Sequence, residues 1–108
     1  MAKTFEKATV LNFKEMIDYA QGGVVSKQVL KNSAGNITLF SFDKEEGLSE
    51  HSTPYDAVVE VIEGKVEITV GGANFTLSEG DSIIMPATVP HSLHGVERFK
   101  MLLTMIKG

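Results

Sequence analysis

Gly80-Asp81-Ser82-Ile83-Ile84-Met85-Pro86-Ala87-Thr88-Val89-Pro90-His91 is the stretch whose reading decides the fold. A polar turn around Gly80 leads into a short apolar run, and two prolines stiffen the loop that follows. His91 then opens another strand-forming run, to Val96. Upstream, Gly47-Leu-Ser-Glu-His51-Ser-Thr53-Pro54 repeats the arrangement, a histidine near a proline ahead of the run Ala57 to Ile62, which ends at Glu63-Gly64. Between these blocks, Lys65 to Val70 alternates polar with apolar, the signature of a half-buried strand. Gly71-Gly72 reads as a two-residue hairpin turn, because glycine accepts positive φ, and Phe75 and Leu77 continue the inward face beyond it. Val24 to Leu30, Asn36 to Phe42 and Phe99 to Ile106 complete the set. Many short strands punctuated by glycine predict a β-barrel or sandwich rather than a parallel α/β sheet.

Composition narrows the chemistry. The 108 residues allow one core and one domain. The absence of cysteine excludes disulfides, thiolate nucleophiles and zinc–sulfur sites, so a metal would need nitrogen and oxygen ligands. A net charge of −4 with scattered basic residues argues against nucleic acid as a partner. No apolar run approaches the roughly 20 residues that cross a bilayer, and the start lacks the apolar core of a signal peptide. The expected location is cytoplasmic, with no membrane partner. Neither a Gly-x-Ser-x-Gly elbow nor a phosphate-binding glycine loop is present.

Residues 1–11 are expected to form an arm or a short edge strand. Asn12-Phe-Lys-Glu15 has the form of a helix cap, and Phe13, Met16, Ile17 and Ala20 follow at helical spacing before Gly22-Gly23. A helix of about two turns is predicted there, so that residues 1–23 make an N-terminal arm with a short helix and residues 24–106 the barrel. The strand Asn36 to Phe42 is apolar on both faces, Ile37 and Leu39 on one and Phe40 and Phe42 on the other. Such a strand needs cover outside as well as inside, which a homodimer would supply.

The two histidine blocks resemble the motifs of the cupin superfamily, small single-domain bacterial members in particular. The resemblance implies an all-β double-stranded β-helix, or jelly-roll, barrel. In the second motif Gly80, Pro86 and His91 match at the right spacings, with Thr88 and Gly95 in place of a glycine and an asparagine. In the first, His51 and Gly64 match, whereas Thr53 stands where a second histidine is usual and Ala57 where a glutamate is usual.

In metal-binding cupins those four positions converge on one ion. Here only His51 and His91 keep a ligating side chain, so the resemblance implies at most one weakly held divalent ion: Zn²⁺, Ni²⁺, Fe²⁺, Mn²⁺ or Cu²⁺. Asp56 beside the lost glutamate could turn inward only through a β-bulge. Glu60 shares the face of Asp56, opposite Ala57, and His94 is expected to point outward. Replacing His by Thr and Glu by Ala empties volume, so a pocket marked by His51 and His91 is expected among Thr53, Tyr55, Ala57, Met85 and Leu93. Met85, Met101 and Met105 read as adaptable core filler. The leading reading is a barrel that binds a small organic molecule in this cavity, with a reduced or absent metal site. The alternative is a metal-dependent dioxygenase, isomerase or lyase using His51 and His91 as ligands, and a third is a partner protein using the barrel as scaffold. Whether the chain is an enzyme is left open, since one barrel hosts many unrelated functions.

Overall fold

A computed structural model describes residues 5–107. The strands are β1 (Val24–Asn32), β2 (Gly35–Phe42), β3 (Gly47–His51), β4 (Asp56–Glu63), β5 (Lys65–Val70), β6 (Ala73–Ser78), β7 (Ser82–Met85), β8 (His91–Gly95) and β9 (Phe99–Ile106). They form two facing antiparallel sheets, ordered β1-β2-β9-β4-β7 and β3-β8-β5-β6, the barrel or sandwich that the glycine-punctuated runs predict and the jelly-roll plan that the resemblance implies. Among the described residues no helix is long and apolar enough to cross a membrane.

Strand alternation does the sorting. Ala57, Val59 and Val61 of β4 and Val66 and Ile68 of β5 are buried between the sheets, while Glu60 and Glu67 face out. One end of the sandwich is filled by aromatic rings: Phe42 stacks on its register partner Phe99 with centroids 4.5 Å apart, and Phe40 lies 5.6 Å from Phe42. The motif glycine between β4 and β5 is there for space as well as conformation. Gly64 has φ +86°, and a Cβ on it would lie 2.0 Å from the carbonyl oxygen of Arg98.

The N-terminal segment departs from expectation. Instead of two helical turns there is one 3-10 turn, Phe13–Glu15, and the Asn12 side chain makes no capping bond. The reason lies in where the following carbonyls go. Lys100 Nζ donates to Lys14 O at 2.7 Å, Lys27 Nζ to Met16 O at 2.9 Å and Ser41 Oγ to Asp18 O at 2.8 Å. The Lys14 and Met16 carbonyls, which a helix would use internally, and that of Asp18 are bound to side chains on the outer face of β1, β2 and β9, and Ile17 is fully buried rather than lining a helical stripe. Tyr19 closes the clasp, its hydroxyl donating to Glu63 at 2.5 Å with the Arg98 guanidinium 4.4 Å above the ring. Burial first, then the hydrogen bond and charge of Glu63, push this phenol well above its usual range, with Arg98 opposing. The chain thus supplies part of the outer cover that Leu39 requires. Of the arm or edge strand expected over residues 1–11, residues 5–11 form no strand and residues 1–4 lie outside the described residues.

Candidate functional site

Beyond Phe40, the outermost of the stacked rings, the space between the sheets is open. The cavity holds about 210 Å³ and is walled mainly by Phe40, Leu48, Met85, Leu93, Met101 and Met105. Ala57, only 2% exposed, contributes a methyl where a larger side chain would fill the hollow. The polar side chains on its lining are Thr53, His51 and His91.

A kink in β3 places the histidines. Leu48 pairs with Leu93 of β8, and His51 pairs with His91, so three steps on β3 match two on β8. The extra residue turns His51 to the same side as Leu48, which regular alternation would forbid. The two Nε2 atoms come within 3.2 Å and the rings meet edge to face, centroids 4.4 Å apart. Each Nδ1 lies against a carbonyl two residues earlier in the chain, His51 on Ser49 O at 2.7 Å and His91 on Val89 O at 3.2 Å. His91 is buried while His51 is exposed, so the pair runs from solvent to the cavity wall. Burial, more than the neighbouring His51, holds His91 below the ordinary imidazole range, against the opposing bond to Val89.

Of the residues the sequence singles out, His51, Thr53, Ala57, Met85, His91 and Leu93 all reach the cavity. Tyr55 does not line it. Its ring faces the Lys107 ammonium at 5.6 Å, because Thr53 Oγ1 bonds the Tyr55 backbone and turns that residue away. Asp56 stays outside, its carboxylate accepting from Ala87 N at 2.8 Å, and Glu60 and His94 are exposed. Phe40, Leu48, Leu103 and Met105 are lining residues that the motif comparison does not reach. Strand parity carries the signal for Phe40, Leu103 and Met105. Nothing in the local sequence marks Leu48, whose orientation depends on the kink.

The family position for a metal can be tested on this donor set. The two Nε2 atoms are convergent, but Thr53 Oγ1 is engaged with Tyr55 and Ala57 offers no donor. Among the described residues no group of three or more His, Asp or Glu side chains is placed to hold an ion. The set falls short of the three protein ligands of a catalytic zinc site.

Comparison with known proteins agrees with the fold. The cupin domain model matches residues 38–106, and the chain belongs to that family. A conserved protein of unknown function from Streptococcus pyogenes is 37% identical with a TM-score of 0.90, over 95% of this chain and 90% of its own. A cupin superfamily protein from Desulfitobacterium hafniense is 26% identical with a TM-score of 0.90, over 100% of this chain and 99% of its own. A cupin 2 conserved barrel domain protein from Leptotrichia buccalis is 37% identical with a TM-score of 0.87, over 90% of this chain but 47% of its own. No protein of curated function matches.

Proposed function

We propose that this cupin binds a small organic molecule between its sheets, with His51 and His91 as the polar end of the pocket and Thr53, Ala57, Met85 and Leu93 in its walls. The observation that carries the reading is an apolar hollow of about 210 Å³ ending at two convergent imidazole nitrogens. A cavity with apolar walls and a few placed polar groups is the usual form of a small-molecule site. The methionine walls can adjust to a guest's outline. Native mass spectrometry and extraction of the untagged protein test this: a small organic molecule should copurify with the wild type and be lost from Ala57→Phe. A barrel that carries and takes up none would refute it.

A second reading has one observation in its favour. The 3.2 Å between the Nε2 atoms is close to the edge, about 3.3 Å, of a tetrahedron with metal–nitrogen bonds of about 2.0–2.1 Å. On this reading the pair shares a divalent ion and the barrel is a metal-dependent enzyme. Stoichiometric metal that survives dialysis and is absent from His91→Ala would favour it.

A homodimer is part of the proposal. Leu30, Ile37 and Ile106 line a groove on the outer sheet face that the N-terminal clasp leaves uncovered. Light scattering should give twice the chain mass, reduced to one chain in Ile106→Asp. A monomeric wild type would exclude it.

A further inference from the structure

The arrangement of hydrogens on the histidine pair, taken with the pocket reading above, defines the class of molecule the pocket takes. Carbonyl oxygens only accept, so the close approaches of His51 Nδ1 to Ser49 O and of His91 Nδ1 to Val89 O place a hydrogen on each Nδ1. A neutral imidazole carries one such hydrogen, and which nitrogen bears it is set by the partner the other makes. When both rings are neutral, hydrogens on the two Nδ1 atoms leave both Nε2 atoms bare, and two lone pairs face each other across 3.2 Å. That contact is not a hydrogen bond in itself. It is a two-nitrogen acceptor waiting for a donor.

The rest of the lining offers this donor no competition. Thr53 Oγ1 both donates to and accepts from the Tyr55 backbone, so its hydroxyl is engaged. Among the described residues no lysine, arginine, aspartate or glutamate lines the cavity, so a polyhydroxylated or multiply charged guest would leave polar groups buried without partners. At about 30 Å³ per water-sized group, a volume of about 210 Å³ admits about seven such groups. That is about the size of one aromatic ring with one or two small substituents.

We infer that the pocket takes a compact, apolar, singly hydroxylated molecule of the phenol class, whose O–H donates into the gap between His51 Nε2 and His91 Nε2 while its ring lies among Phe40, Met85, Met101 and Met105. This rests on the pocket reading and adds to it the polarity of the recognition: the protein accepts and the guest donates.

The test uses three probes of similar outline, p-cresol, 4-methylanisole and p-xylene, titrated into the wild-type protein at neutral pH and followed by NMR shifts of the methionine methyls. p-Cresol should bind at least tenfold more tightly than 4-methylanisole, which keeps the oxygen and loses the donor; tenfold is about 1.4 kcal/mol. In His51→Leu, an exposed position whose change leaves the core intact, the preference should fall to within twofold. Equal binding of all three probes would overturn the donor assignment and leave the pocket reading standing. Binding of none would overturn both. The tautomers are read separately in the ligand-free protein by long-range proton–nitrogen correlation: hydrogen on Nδ1 of both rings supports the inference, and hydrogen on either Nε2 refutes it.

Discussion

Ala57→Leu tests whether the hollow is real and where its wall lies. Ala57 is 2% exposed, sits on β4 opposite Met85 and Met105, and faces the cavity. Leucine adds three carbons. At about 0.8 kcal/mol for each buried CH₂ the gain is bounded by about 2.4 kcal/mol. Fixing the new side chain returns about 0.5–1 kcal/mol, and the methionine walls must shift, so the expected net stabilisation is about 1 kcal/mol. In a domain of this size that raises Tm by about 4–8 °C. The same carbons occupy the space a guest needs, so p-cresol binding should weaken at least tenfold. Calorimetry and the NMR titration measure the two effects on one sample. A fall in Tm would mean that the introduced leucine meets a packed wall rather than open space, and unchanged guest binding would mean that the guest lies elsewhere. Either result refutes the placement of the cavity.

Thr53→His combined with Ala57→Glu restores the donors that metal-binding cupins carry, and should raise zinc affinity at least tenfold, about 1.4 kcal/mol, by calorimetric titration; no gain would show that these side chains do not converge on the histidine pair. His91 protonates below its ordinary value of 6.5 because burial and His51 disfavour its charge. The unfolded chain therefore takes up this proton more readily, and stability is lost as pH falls below about 7 toward the depressed value and levels off beneath it. Urea melts at pH 7.5 and 5.5 should show a smaller difference for His91→Gln than for the wild type, and equal differences would refute the assignment. Gly64→Ala, which drives a Cβ to 2.0 Å from Arg98 O at φ +86°, should cost about 3 kcal/mol or more. Gly80→Ala, at φ +94° in open space, should cost only about 1–2 kcal/mol. Denaturant midpoints would separate the two, and equal costs would contradict the close approach at Gly64.

How much of this was legible in the residues depended on the range of the interactions involved. Strands with a period of two, such as Lys65–Val70, announce themselves because each residue's burial follows from its neighbours. The meeting of His51 and His91 was legible through the motif spacing alone. The helix over residues 13–20 was not. Its cap and spacing were present, but partners 11, 23 and 86 residues away took the carbonyls of Met16, Asp18 and Lys14, and Ile17 was buried against a sheet. Tyr55 failed as a pocket residue for a local reason, the Thr53 hydroxyl bonding its backbone, which no parity count includes. Leu48 was invisible because its facing depends on a kink that strand propensity does not encode.

That kink has a chemical consequence of its own. β3 is an edge strand, with a neighbour on one side only. Were it to pair without interruption from Leu48 onward, Glu50 and not His51 would stand across from His91. The same five residues thus encode two different sites: an imidazole facing an imidazole, or a carboxylate facing an imidazole, a mixed oxygen–nitrogen donor pair suited to a cation. A single local irregularity at the margin of the molecule selects between them.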